Sequence, residues 1–198
     1  MRTPSIIVNA VIFLITFVTL ARNFWKDGQW QPDRGLKAFR YFTVLSNAFC
    51  ALTALVMAIA QLTDRVSMPV VWLKYLGTMS VTITILTVFL FLGPTQGFDK
   101  MLGGENFFMH LVCPVLAIAS FCLWEKRPLS IGLALTGLIP VSLYGLVYLY
   151  RVVYAPEAEK WEDFYGFYRS GRWRVTAIVM LAGALAICVA YWLVCRNA

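Results

Sequence analysis

The residues best suited to chemistry are the single histidine of the chain, His110, and a polar cluster of Thr43, Ser46 and Asn47. Both lie inside apolar runs long enough to cross a membrane, where polar side chains are costly and often functional. A threonine hydroxyl is a weak nucleophile, and an imidazole is the usual base that takes its proton. This combination predicts a nucleophilic hydrolase in which His110 activates Thr43.

The composition is that of an integral membrane protein. Of the 198 residues, 60% are hydrophobic and 14% are charged, whereas a soluble domain carries roughly 25% charged residues. The net charge of +7 comes from loops and tails, which favours contact with anionic lipid headgroups and argues against a nucleic-acid partner. The five cysteines form no C-x-x-C pair, so neither a disulfide framework nor a dithiol redox site is expected.

Six apolar stretches of about 20 residues predict an all-α bundle of six transmembrane helices in a single domain, residues 1–198. The predicted spans are 5–21, 41–62, 70–92, 107–124, 129–150 and 175–194. The tryptophans fall at or just beyond the span ends, as in an interfacial aromatic belt. The first span is expected to be a retained helix, with a signal peptide as the alternative because the span is short and follows Arg2.

An even number of spans places both termini on one side, called side A, and the three longer connections on the other, called side B. Side A carries 6 Lys and Arg residues and side B carries 11, which favours a cytoplasmic side B. Because eight of the ten acidic residues also lie on side B, the orientation stays open.

The second and fourth spans both begin on side B, so Thr43 and His110 are expected at the same depth and the same end of the bundle. Whether these two helices touch does not follow from the sequence. Ser46 and Asn47 share a helical face with Thr43, and either is a candidate donor to a developing oxyanion. Pro114 removes the helical partner of the His110 carbonyl, which predicts a loosened backbone there.

Further polar residues near side B are candidates for substrate binding. Arg40 lies one turn from the cluster toward the surface and is expected either to pair with a substrate carboxylate or to reach a lipid phosphate. Residues 151–174 alternate charged and aromatic side chains, which predicts an interfacial loop or a lid over the cluster. The candidates are Tyr165, Tyr168 and Arg169 on this loop and Tyr144 on the fifth span. Tyr144 and Tyr148, one turn apart on that span, are also expected to contribute a hydrogen bond within the bundle. Lys74 is expected near the opposite end of the bundle and outside this site.

Structural roles are the competing interpretation of the same residues. A threonine in a spanning helix commonly bonds back to the carbonyl four residues earlier, and a lone membrane histidine commonly joins two helices. The hydroxyl residues of the third span are expected to pack between helices: Thr78, Ser80, Thr82, Thr84 and Thr87. One histidine and no H-E-x-x-H pattern predict no metal site, no cofactor is expected, and the absence of G-x-S-x-G excludes a nucleophile elbow.

Two segments resemble a known family: Phe39-Arg40-Tyr41-Phe42-Thr43-Val44-Leu45-Ser46-Asn47 and Phe108-Met109-His110-Leu111-Val112-Cys113-Pro114. They are similar to the androgen-induced and androgen-dependent membrane hydrolase family and its bacterial relatives, over the whole chain in span number and order. The resemblance implies a compact multi-helix fold that hydrolyses fatty acid esters of hydroxy fatty acids or similar lipid esters. It implies Thr43 as nucleophile, His110 as general base, and a location in the bacterial inner membrane. The Ser46-Asn47 pair has the form associated with the bacterial branch.

Two other functions stay open at this point. The first is a non-enzymatic membrane protein that binds lipid or another small molecule, including a carrier, although a carrier is expected to place its polar groups near the bilayer midplane. The second is a structural or assembly partner without a ligand. The oligomeric state does not follow from the sequence.

Overall fold

A computed structural model describes residues 2–168 and 171–198, and 78% of it is helical. Within these residues six helices are long and apolar enough to cross a membrane, which confirms the predicted all-α bundle of a multi-pass membrane protein. The helices are α1 (Arg2–Asn23), α2 (Phe42–Leu62), α3 (Met68–Gln96), α4 (Glu105–Glu125), α5 (Ile131–Tyr154) and α6 (Trp173–Cys195). Each begins and ends within a few residues of a predicted span.

Single π-helical turns interrupt these helices at Val88–Leu92, Phe108–Val112, Phe121–Glu125 and Tyr150–Tyr154. Such turns contain one residue more than an α-helical turn and often occur at functional sites. The first two are each followed by a proline, Pro94 or Pro114, at the second position after the turn. Proline has no N–H group, so a carbonyl in the preceding turn loses its usual donor. The backbone irregularity expected before Pro114 is therefore a π turn.

By its internal contacts the chain divides into two compact units, residues 1–128 with 195–198, and residues 129–194. The first unit contains α1 to α4 in antiparallel order. Arg2 pairs with Asp64 at one end, called end A, and Arg22 pairs with Glu105 at 2.7 Å at the other, called end B. Between the two ends lies an apolar centre of buried side chains, Ile12, Cys50, Ala54, Val81 and Ala117.

The connection between α1 and α2 contains a short hairpin that the sequence interpretation did not predict. Its strands are β1 (Trp25–Lys26) and β2 (Gln29–Trp30), paired antiparallel. Asp27 and Gly28 have φ angles of 52° and 75°, which is the geometry of a two-residue turn that matches the twist of the strands. A seven-residue helix, Pro32–Ala38, follows the hairpin and leads into α2.

The second unit contains α5, α6 and the described part of the connection between them. Tyr148 of α5 is buried, and its hydroxyl donates to Asp163 Oδ1 of the connection at 2.8 Å. The Asp163 carboxylate also accepts the backbone N–H groups of Phe167 (2.8 Å) and Tyr168 (2.7 Å). The Tyr148 hydroxyl and the Asp163 carboxylate therefore help to anchor this connection on α5.

Candidate functional site

His110 lies in the π turn of α4 near end B, and only 6% of its surface is exposed. Its Nδ1 atom is 2.5 Å from the backbone oxygen of Met101, in the connection that precedes α4. A carbonyl oxygen can only accept a hydrogen bond, so Nδ1 of the neutral ring carries the proton and Nε2 keeps a lone pair. This is the tautomer that a general base requires, with the ring oriented by a third group.

Asn47 connects the start of α2 to the start of α4. Its Nδ2 atom donates to the Thr43 carbonyl at 2.8 Å and to the Met109 carbonyl at 3.0 Å. One amide nitrogen is thus within hydrogen-bonding distance of both backbones. The contact between the second and fourth helices, which the sequence left open, exists at the depth of Thr43 and His110.

The acceptor for Asn47 is created by the local backbone of α4. In the π turn the N–H group of Cys113 bonds to the carbonyl of Phe108 and does not reach Met109. The following residue is Pro114, which has no N–H group to offer. A buried carbonyl without a donor is costly, especially in a membrane. The Asn47 amide removes this cost by supplying the missing hydrogen bond to Met109.

Thr43 is half-buried in the first turn of α2, and its carbonyl also accepts the Ser46 hydroxyl at 3.1 Å. Within the described residues the Thr43 hydroxyl forms no hydrogen bond, either to the carbonyl four residues earlier or to His110. Ser46 is buried and shares a 2.7 Å hydrogen bond with Thr84 of α3. Ser46 and Asn47 therefore hold helices together, whereas the Thr43 hydroxyl takes no part in those contacts.

Arg40 lies in the turn between the helix Pro32–Ala38 and α2, with its side chain exposed. It lines a shallow surface depression of about 340 Å³ together with Asp33, Leu36 and Lys37. The exposed guanidinium therefore lies at the rim of end B.

The tyrosines predicted for substrate binding belong to the second unit. The rings of Tyr144 and Tyr165 pack against the ring of Tyr148, with centroids 5.8 Å and 5.2 Å away. The Tyr148 hydroxyl, expected to bond within the bundle, donates instead to Asp163 of the connection that follows α5. Arg169 lies outside the described residues.

End A holds a second polar cluster, which the sequence interpretation missed. The side chains of Lys74 and Glu125 are 0% exposed, and Lys74 Nζ is 3.8 Å from Glu125 Oε2. The other carboxylate oxygen, Oε1, accepts the hydroxyls of Ser5 (2.6 Å) and Ser120 (2.5 Å) and the side-chain amide of Asn9. One buried carboxylate thus gathers donors from α1 and α4 beside a cation from α3.

Further hydrogen bonds extend this cluster to all four helices of the first unit. Lys74 Nζ donates to Asn9 Oδ1 at 2.7 Å, and Gln61 Nε2 of α2 donates to Ser5 Oγ at 2.8 Å. Within the described residues Glu125 Oε2 has no hydrogen-bond partner, and it is the oxygen that lies nearest to the Lys74 ammonium. Buried charges are tolerated when an opposite charge and neighbouring polar groups compensate them, and this cluster supplies both from within the protein.

The sequence contains signals for this cluster. Ser5 and Asn9 are one helical turn apart in an otherwise apolar first span, and Lys74 stands inside the third span on side A. The interpretation set Lys74 aside because it is remote from His110. The predicted fourth span ends at residue 124, whereas α4 includes Glu125 through the π turn Phe121–Glu125.

Neither cluster has the ligand set of a metal centre. Within residues 2–168 and 171–198, no three His, Cys, Asp or Glu side chains are arranged to hold a metal ion. No family model, curated protein or solved structure matches the chain. The geometry of the first unit and the two motifs around Thr43 and His110 therefore carry the information about function.

Proposed function

We propose that this membrane protein hydrolyses lipid esters, with Thr43 as nucleophile and His110 as general base. The observation that carries the proposal is the Asn47 amide, which bonds to the Thr43 carbonyl at 2.8 Å and to the Met109 carbonyl at 3.0 Å. This amide holds the residue that bears the nucleophile beside the turn that bears the base. The resemblance of both motifs to the membrane hydrolase family supports the same pair.

In the first half of the reaction, Thr43 Oγ1 attacks the carbonyl carbon of the ester while His110 Nε2 takes the hydroxyl proton. The Nδ1–H bond to Met101 O, at 2.5 Å, keeps the ring oriented and stabilises the charge that develops on it. The imidazolium then gives its proton to the leaving alkoxide oxygen, and the ester C–O bond breaks. An alcohol leaves, and the acyl group stays on Thr43 as a new ester.

In the second half, water attacks the acyl-threonine carbonyl while His110 Nε2 takes a proton from that water. The same proton passes to Thr43 Oγ1 as the carboxylic acid leaves, which restores the enzyme. His110 is five positions along α4 from its first residue, Glu105, a depth of about 7.5 Å at 1.5 Å per residue. A site at this depth receives water from the headgroup side and acyl chains from the bilayer.

Asn47 and Ser46 act in this proposal as positioning residues. Both N–H groups of the Asn47 amide are already engaged by backbone carbonyls, and Ser46 is held between Thr43 and Thr84. Donation to an oxyanion, the role expected for either residue, would require one of these bonds to break. Their contribution is to fix the distance between the two reacting side chains.

The polar end of the substrate is proposed to pair with Arg40, which lies at the rim of the same end of the first unit. Tyr144, Tyr165 and Arg169 stay candidates for further substrate contacts. The resemblance supports fatty acid esters of hydroxy fatty acids or similar lipid esters as substrates and the bacterial inner membrane as location.

The test is turnover of a long-chain fatty acid ester of a hydroxy fatty acid by purified protein in detergent. Thr43→Ala should abolish turnover, and His110→Ala should lower kcat by about 100- to 10,000-fold, the usual contribution of a general base. Thr43→Ser keeps a hydroxyl at the same place and should retain measurable turnover. The thermal unfolding midpoint of each variant shows whether the fold is kept.

Full activity in folded Thr43→Ala or His110→Ala would contradict the proposal. The rival function, a non-enzymatic lipid-binding protein or carrier, predicts no ester turnover by the unmodified protein. It also predicts that the ester binds equally well to the unmodified protein and to Thr43→Ala. Measured turnover and binding together therefore separate the two functions.

A further inference from the structure

The segment between α1 and α2 forms a surface, here called the basic platform, made of the hairpin Trp25–Trp30, the helix Pro32–Ala38 and Arg40. Arg34 secures it to the C-terminal end of α1, because its guanidinium donates to the carbonyls of Asn23 (3.1 Å) and Trp25 (3.2 Å). The Asn23 carbonyl is one that the end of α1 leaves without a backbone donor. The platform is therefore attached to α1 by a charge-assisted contact.

The hairpin and the short helix also pack on each other through one aromatic ring. Phe24 stacks on Trp30 with ring centroids 5.1 Å apart, and the Phe24 carbonyl accepts the N–H group of Gln31 at 2.7 Å. Gly35 of the short helix lies directly against the Phe24 ring, where a Cβ atom would overlap it. The close approach requires glycine at this position and keeps the helix against the hairpin.

The outward face of the platform combines apolar and cationic side chains. Trp25, Trp30 and Leu36 are 56%, 59% and 64% exposed, and the side chains of Lys26 and Lys37 are exposed beside them. Exposed tryptophans next to the ends of spanning helices are typical of the headgroup layer. Because α1 ends at Asn23 and α2 begins at Phe42, the platform starts and ends at that layer.

The depression lined by Asp33, Leu36, Lys37 and Arg40 is the part of the platform with the shape and charge to hold a headgroup. Two cations face one carboxylate, which leaves the depression positive. Cations at a membrane surface attract anionic lipid, and an arginine guanidinium matches the geometry of a phosphate. Leu36 supplies an apolar wall that can pack against the glycerol and acyl part of a lipid. Such a wall does not stabilise a free inorganic ion.

We infer that the basic platform is a binding site for anionic phospholipid, with the lipid phosphate between Lys37 and Arg40 and the lipid body against Leu36. The site lies at end B of the first unit and shares Arg40 with the proposed substrate site, but its test measures lipid binding and requires no turnover. The negative charge of the Asp33 carboxylate repels the phosphate, so Asp33 lowers the affinity of the site for the lipid. Each cation near a membrane surface contributes about 1 kcal/mol, or roughly fivefold in affinity.

The test uses delipidated full-length protein in nonionic detergent, titrated with dioleoyl phosphatidylglycerol, dioleoyl phosphatidylcholine or inorganic phosphate and followed by native mass spectrometry. Phosphatidylglycerol should bind more tightly than phosphatidylcholine, and inorganic phosphate should leave that binding unchanged. Lys37→Gln should weaken phosphatidylglycerol binding by roughly fivefold. Asp33→Asn removes the opposing charge and should strengthen it. Arg65→Gln, an exposed charge removed from end A, is the matched control and should have no effect.

Three outcomes would overturn the inference. One is equal affinity of the unmodified protein for phosphatidylglycerol and phosphatidylcholine. The second is a Lys37→Gln effect no larger than that of Arg65→Gln, which would make the attraction a property of total charge. The third is displacement of phosphatidylglycerol by an equal concentration of inorganic phosphate, which would make the depression a site for free anions. Opposite shifts in Lys37→Gln and Asp33→Asn support it.

Discussion

The two ends of the first unit use opposite strategies to bury polar groups. At end A, Lys74 and Glu125 are fully buried charges, surrounded by donors and acceptors from all four helices. At end B the buried polar groups are neutral and bond mostly to backbone carbonyls. One of these carbonyls, that of Met109, has been left without a helical donor by the π turn and Pro114. Both arrangements join helices, but by different chemistry.

The difference indicates where a reaction is possible. The side chains at end A are committed to one another, so a substrate would have to break a buried ion pair to engage them, at a large cost. At end B, Asn47 and Ser46 form the hydrogen bonds that hold the helices together. Within the described residues, the Thr43 hydroxyl and His110 Nε2 take no part in those hydrogen bonds. End A is therefore a structural cluster, and end B combines structure with two groups suited to catalysis.

Removal of the buried cation at end A should have the largest effect on stability. Lys74→Met leaves the Glu125 carboxylate buried without its opposite charge, which typically costs about 3–5 kcal/mol. The free energy of unfolding, measured by titration from detergent into sodium dodecyl sulfate micelles, should fall by that amount. Lys100→Met, which removes an exposed cation of the same unit, is the matched control and should stay within about 0.5 kcal/mol of the unmodified protein.

The double variant Lys74→Met, Glu125→Gln sharpens this result. With both charges gone no carboxylate is left unpaired, so a large part of the lost stability should return. A Lys74→Met protein as stable as the Lys100→Met control would show that end A is not the ionic cluster described above. The comparison between the two ends would then fail.

The hydrogen bond from Asn47 to Met109 should have a smaller effect on stability and a clear effect on activity. Asn47→Leu keeps the volume but leaves the Met109 carbonyl without a donor, which should cost about 1 kcal/mol in a membrane protein. Because the start of α4 is then less firmly held, kcat for the lipid ester should fall while KM changes little. Unfolding titrations and steady-state kinetics measure the two effects. An unchanged kcat in Asn47→Leu would show that Asn47 does not position the reacting side chains.

Loss of the hydrogen bond between Ser46 and Thr84 should have the smallest effect. In Ser46→Ala the Thr84 hydroxyl can still donate to the Ser80 carbonyl, 3.4 Å away, so no buried group is stranded. The free energy of unfolding should fall by about 0.6 kcal/mol, the average for a polar contact between membrane helices. The kcat of this variant should stay close to that of the unmodified protein. A kcat loss as large as that of Asn47→Leu would instead place the Ser46 hydroxyl in the reaction.

The six helices and their bounds followed from apolar run length, because a membrane imposes that length on every span. The pairing of α2 with α4 did not follow, since run length carries no information about neighbours. That contact depends on Asn47 reaching a carbonyl freed by the π turn before Pro114. The proline indicated an irregular backbone, but the identity of the donor that compensates it is a three-dimensional property.

Lys74 shows a different limit of sequence interpretation. Its charge inside a span was visible, yet its partner Glu125 stands at the end of α4, more than fifty residues later. Charges near span ends commonly extend toward the interface, so position alone does not identify a buried pair. The sequence also could not identify the Met101 carbonyl as the partner of His110, because every residue type carries a backbone carbonyl.

The central claim, that Thr43 is a nucleophile activated by His110, is tested most directly by isolating the acyl-enzyme. Purified protein is mixed with a long-chain lipid ester, quenched in acid within the first turnover, digested, and examined by tandem mass spectrometry for the peptide that contains Thr43. If Thr43 is the nucleophile, an acyl group is esterified to the Thr43 hydroxyl, absent from Thr43→Ala and strongly reduced in His110→Ala. An ester turned over at full rate with the acyl group on another residue would contradict it.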